Sequence, residues 1–150
     1  MSEQTTPGTD PMHVMHPEES WEFLRRHEFG RLAFHLLGEV HIAPVNYATR
    51  DETILFQTSE GSKLLGITMN SDVAFEVDEI TEEHATSVIV RGRARQLEGG
   101  EKYVIEQIPL RPWVDSPKYS VVAVHADEIS GRRFDLTRPW SHARVDSHLA

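Results

Sequence analysis

The chain has 150 residues, 15 Lys+Arg against 24 Asp+Glu and a formal charge of −9 with histidines neutral. That length predicts one domain with room for a real core and leaves no space for a second of ordinary size, while the acidic balance opposes nonspecific attraction to nucleic acid or anionic membrane, so any anion needs a local site. The absence of cysteine excludes disulfides, thiolate nucleophiles and cysteine-held metal or iron–sulfur centres.

No apolar run approaches the roughly 20 residues that span a bilayer, and the start lacks the charged-then-apolar order of a signal peptide, so the reading is cytoplasmic with no membrane partner. Residues 1–16 are polar and broken by Pro7, Gly8 and Pro11, which predicts a flexible N-terminal arm. Pro17 opens a helix in which Trp21, Leu24 and Phe29 share a face, with Glu18, Glu19 and Glu22 at its start and Arg25, Arg26 and His27 at its end. Gly30 is expected to terminate it.

Leu32, Phe34 and Leu36 then alternate with polar or small residues, and Gly38-Glu39 turns the chain into a second strand over 40–48. Asp51-Glu52 makes the next turn, a strand covers 53–58, and a helix begins near Ser62 and ends at Asn70-Ser71. Val73, Phe75 and Val77 mark another strand, and residues 87–97 a long one bent near Gly92. Gly99-Gly100 opens a short helical stretch through Gln107. Prolines 112 and 117 make 110–117 a structured loop. Residues 118–129 and 131–136 predict two final strands, and a polar tail follows over 138–150.

The fold class is therefore mainly β, with six or seven antiparallel strands, few short helices and a closed barrel. A barrel of that size fills its own interior, so a ligand must sit outside it or at a subunit contact, which favours a homodimer.

The segment Thr58-Ser59-Glu60-Gly61-Ser62-Lys63-Leu64-Leu65-Gly66 puts a hydroxyl, glycines and a lysine where a strand gives way to a helix. Unpaired N–H groups of a first helical turn and a lysine charge suit a phosphate. The alternative reading is that Ser62 caps the helix and Lys63 is solvated. Nine histidines show no recognised metal spacing, so no metal is expected. His41 is read either as a proton donor to substrate or as an edge residue on its strand. The acidic run 76–83 reads as a solvated strand end. Arg91, Arg93 and Arg95 form one basic ridge, read as paired within the chain or across a dimer, with Arg91 or Arg93 able to approach a phosphate.

Glu28-Phe29-Gly30-Arg31-Leu32-Ala33, His41-Ile42-Ala43-Pro44-Val45-Asn46-Tyr47, the 58–66 loop and Val90-Arg91-Gly92-Arg93-Ala94 together resemble the FMN-binding split-barrel proteins related to pyridoxamine 5'-phosphate oxidase, in particular the nitroimidazole-reductase-like branch. The resemblance covers roughly residues 17–136 of a domain set at 17–137, and it implies a homodimeric split barrel acting as a flavin-dependent oxidoreductase on a small-molecule substrate. FMN would lie between protomers, its phosphate held by Thr58, Ser62 and Lys63 with Leu64 beside them and its ring along Ala43, Pro44, Val45 and Asn46. Pro44 can only accept a hydrogen bond there, whereas Asn46 both donates and accepts. Arg111, Trp113 and Lys118 are the candidates for covering the flavin from the partner chain. Related split barrels use the deazaflavin F420 or haem, which leaves an F420-dependent reductase or a non-catalytic flavin or haem carrier as alternatives. A substrate-phosphate motif of the true oxidases is not recognised near the C-terminus. No catalytic side chain is assigned, because a flavin would carry the electron chemistry itself.

Overall fold

In a computed structural model the described residues are 10–59, 61–107 and 119–136. The elements in chain order are β1 (Met12–Met15), α1 (Pro17–Arg25), β2 (Phe29–Leu36), β3 (Glu39–Asn46), β4 (Ala48–Arg50), β5 (Thr53–Thr58), α2 (Ser62–Met69), β6 (Asp72–Ile80), β7 (His84–Leu97), a 3-10 helix (Gly99–Gln107) and β8 (Ser120–Asp135). All strand pairs are antiparallel, in the order β3-β2-β6-β7-β8-β5-β4, with β1 on β8.

Among the described residues the strands number eight rather than six or seven, and they form a curled half-barrel whose sheet ends at β3 and β4 rather than a closed barrel. Three local expectations also change. Met12–Met15, read as part of a flexible arm, pairs with 131–134 of β8. Gly30 does not stop a helix: α1 ends at Arg25, and Gly30 lies inside β2, where an added Cβ would strike the Phe75 ring and the Glu76 carbonyl. The two final strands are one, because β7 pairs along the whole of β8 and absorbs the irregularity between Arg91 and Gly92. At that point Gly92 has no room for a side chain, since a Cβ would meet the His125 carbonyl. The bend expected at Gly92 is thus a β-bulge.

Helix α1 starts where the His16 N–H donates to Glu19 Oε1 at 2.8 Å, with Pro17 in the first turn. It buries Ser20, Trp21, Phe23 and Leu24. The main core fills the concave side with Leu24, Leu32, Phe34, Val45, Tyr47, Ile54, Phe56, Phe75, Val88, Val90, Val122 and Val124. Side chains alternate along a strand, so Leu55, Val121, Ala123 and Leu97 point to the convex side and form a second apolar cluster beneath Val104 of the 3-10 helix. Tyr47 closes the gap between β3 and β4: its hydroxyl donates to the Leu24 carbonyl at 2.6 Å and its N–H to the Glu28 carbonyl at 3.0 Å.

Candidate functional site

The site is built from one strand edge and one helix start. β3 ends the sheet, so only its β2 side is paired: Ala43 faces Leu32, Pro44 faces Arg31, Val45 faces Gly30 and Asn46 faces Phe29. Among the described residues no strand pairs with the opposite edge of β3, and an open strand edge offers backbone N–H and C=O groups in a row. Val45 is buried in the core, Ala43 and Asn46 are half-buried, and Pro44 is exposed.

β3 also lies against β5, and β5 delivers the chain to the second part. Thr58, buried, ends β5 opposite Ser120, and its hydroxyl donates to the Ser59 carbonyl at 3.2 Å. α2 then begins at Ser62 and ends at Met69, as the sequence predicted. Its first intrahelical bond to the preceding loop runs from the Leu65 N–H to the Gly61 carbonyl, 3.0 Å. The N–H groups of Ser62, Lys63 and Leu64 precede that bond and are the ones a helix start leaves for an outside acceptor. Gly61 sits at φ 158°, ψ −166°, a region that glycine adopts almost alone.

Lys63 is half-buried, and among the described residues no carboxylate or hydrogen-bond acceptor partners it. Burial lowers its ammonium below the ordinary lysine value. Holding a partly desolvated cation without a counter-ion costs free energy that an arriving anion recovers, which favours the phosphate reading of the loop over the solvated one. Leu64 packs against the main core and fixes the helix from below.

Gly66 sets the position of the helix. An added Cβ there would run into the His35 carbonyl and the Phe34 ring of β2, so only a bare backbone lets α2 settle onto β2. The sequence reading took Gly66 as part of the loop motif and missed this packing role. A glycine in the middle of a helical pattern is the signal that marks it.

Arg111, Trp113 and Lys118, expected to reach the partner's flavin, lie outside the described residues. His41 stacks on Phe34 with ring centroids 5.6 Å apart and has Glu39 Oε1 at 3.5 Å, the contacts of an edge histidine. The basic ridge divides: Arg95 makes a forked pair with Glu101 at 3.2 and 3.0 Å, and Arg93 lies 3.9 Å from both Asp72 and Asp127. The acidic run is not wholly solvated. Glu76 is half-buried, takes Arg31 Nη1 at 3.1 Å and the Ser87 hydroxyl at 3.3 Å, and burial together with Asp78 raises its carboxyl. Among the described residues no three metal-ligating side chains converge, and no helix is long and apolar enough to cross a membrane.

The sequence matches the family described as Pyridoxamine 5'-phosphate oxidase over residues 16–133. An uncharacterized protein of Mycobacterium tuberculosis is 39% identical over 84 residues, 55% of this chain and 76% of that one. A Corynebacterium glutamicum structure, provisionally assigned as a pyridoxamine 5'-phosphate oxidase, superposes with a TM-score of 0.76 at 31% identity, covering 86% of this chain and 98% of its own. The FAD-binding protein of Mycobacterium smegmatis superposes with a TM-score of 0.73 at 33% identity, covering 83% and 99%. The fold is thus shared across nearly the full length of these structures, and the chain belongs to the pyridoxamine 5'-phosphate oxidase family of split-barrel proteins.

Proposed function

We propose that the protein binds a flavin and serves as a flavin-dependent oxidoreductase acting on a small molecule, with FMN as the cofactor. The observation that carries this reading is Lys63: a half-buried cation with no partner among the described residues, at the start of α2 after buried Thr58. In this reading Thr58, Ser62 and Lys63 hold the phosphate, the N–H groups of the first turn complete the cradle, and Leu64 anchors it. The open edge of β3 over 43–46 offers backbone groups to the polar edge of the ring, with Asn46 able to donate and accept. When bound, the flavin supplies hydride and electron transfer; the chain binds it, orients it and keeps the phosphate charge compensated.

The half-site is one-sided, and a second copy of the chain would cover the exposed face, with Arg111, Trp113 and Lys118 as the residues proposed to reach across. The small-molecule substrate meets the ring in the space so enclosed, and a cytoplasmic setting gives access to reduced nicotinamide as electron donor. FAD is the second reading, favoured by the flavin named for the Mycobacterium smegmatis relative; both forms present a phosphate to the same cradle. F420 and haem stay as the alternatives that an absorption spectrum separates.

The test is fluorescence titration of the chain and of Lys63→Ala with FMN, FAD and riboflavin. The cradle reading expects FMN to bind at least about tenfold tighter than riboflavin, and Lys63→Ala to remove most of that advantage. Equal affinity of FMN for the two proteins would reject the role given to Lys63. Turnover is tested separately, by flavin-dependent oxidation of reduced nicotinamide with an added electron acceptor; binding without turnover would leave a flavin carrier.

A further inference from the structure

A second pocket lies on the convex face of the sheet and shares no residue with the proposed flavin site. It is an open depression of about 220 Å³ lined by residues of β4, the β4–β5 turn, β5, β7, β8 and the 3-10 helix. Its floor is the outer apolar cluster: Leu55, Leu97 and Ala123 are buried, and Val104 of the 3-10 helix packs beside them.

The charges around this floor are unequal in their partners. Arg95 and Glu101 neutralise each other through two hydrogen bonds at 3.2 and 3.0 Å. Arg50 is held by a neutral acceptor, Gln107 Oε1, at 3.0 Å, so its guanidinium is oriented but its charge meets no carboxylate among the described residues. Asp51, next in sequence, likewise makes no ion pair among them, and it stands at φ 55° in the turn. Thr53 and His125, 3.4 Å apart through Oγ1 and Nδ1, add neutral polar groups to the rim. The pocket therefore presents one oriented cation, one anion and an apolar floor.

We propose that this pocket binds a small zwitterion of the α-amino acid type with an apolar side chain. Arg50 takes the carboxylate, Asp51 takes the ammonium, and Leu55, Leu97, Val104 and Ala123 take the side chain. A simple carboxylic acid leaves Asp51 facing it as a like charge, and a simple amine does the same with Arg50, so only a ligand carrying both charges satisfies both residues. The guanidinium fork matches a carboxylate better than any single-point donor does.

The experiment is an amide-resolved NMR titration of the full chain with L-leucine, 4-methylpentanoate, which lacks the amine, and 3-methylbutylamine, which lacks the carboxylate. Leucine is expected to shift the amides of Leu55, Leu97 and Ala123 saturably and to bind at least about tenfold tighter than either analogue. Arg50→Ala is expected to weaken leucine about tenfold or more. Asp51→Asn is the companion variant, since asparagine accepts a positive φ readily; it keeps the turn and is expected to abolish the preference for leucine over 4-methylpentanoate. Absence of saturable shifts with leucine, equal affinities for the three probes, or an unchanged preference in Asp51→Asn would overturn the assignment.

Discussion

Tyr47→Phe removes one oxygen from the junction that ties α1 to β3 and β4, and its cost follows from the contacts. The ring is 1% exposed and meets Phe75 edge-on, centroids 4.8 Å apart, and a phenylalanine keeps both features. What is lost is the 2.6 Å bond to the Leu24 carbonyl. That carbonyl also accepts the His27 N–H at 3.2 Å, so it is not left bare, and the cost falls near an ordinary net hydrogen bond, about 1 kcal/mol. For a chain of this size that lowers Tm by about 2–4 °C, read by calorimetry at neutral pH.

The same residue gives the prediction a second arm. Burial, and then Glu28, raises the Tyr47 phenol well above its ordinary value of 10.0. A raised phenol contributes stability that is present below the unfolded value and is lost as pH climbs past it, because only the unfolded chain can release the proton. Above pH 10 the wild type therefore loses stability relative to Tyr47→Phe at up to about 1.4 kcal/mol per pH unit, and the two proteins become equal between about pH 10.5 and 11. A variant as stable as wild type at pH 7, or a difference that does not shrink above pH 10, would refute this account of the junction.

Gly66→Ala forces a methyl against the His35 carbonyl and the Phe34 ring; stability should fall by about 1–3 kcal/mol, and flavin affinity should fall with it as the start of α2 is displaced, both measured by denaturant titration and fluorescence. Ser20→Ala takes away a buried hydroxyl that has no hydrogen-bond partner among the described residues, so its midpoint of urea unfolding should rise, by up to about 1 kcal/mol in stability; a fall would mean that the oxygen is satisfied. Lys63 supplies a pH signature: with its ammonium lowered by burial, the affinity for a phosphate-bearing flavin should begin to fall at a pH below the ordinary lysine value of 10.5. Without ligand, the Lys63 contribution has the opposite sign, a cost present below its folded value that disappears as pH rises toward 10.5.

Much of this architecture was legible because the physics is local. Alternation over Leu32, Phe34 and Leu36, the turn at Asp51-Glu52 and the helix from Ser62 to Met69 each follow from spacing within a few residues. The strand-to-helix junction that carries the proposed half-site was legible for the same reason: β5 ends at Thr58 and α2 starts at Ser62, where the sequence places a hydroxyl, glycines and a lysine. What escaped depended on distant partners. Gly30 reads as a helix stop until Phe75 lies across it, and β8 reads as two strands until β7 is seen to pair along its length. Met12–Met15 gains strand structure only because β8 extends beyond β5 and offers it an edge. The openness of the sheet was hidden too, since local alternation does not report whether the first and last strands meet. Glu76 looked solvated because the sequence cannot show Arg31 and Ser87 converging on it from two other strands.

The central claim is that the start of α2 and the free edge of β3 hold a flavin. Its most direct test is the absorption spectrum of the full chain purified from its native host, with mass analysis of any small molecule released on denaturation and titration of the stripped protein with FMN and FAD. The account predicts a flavin spectrum or saturable binding near one flavin per chain, weakened by Lys63→Ala. A chain that carries no chromophore and binds neither flavin, or one whose flavin affinity ignores Lys63, would contradict it.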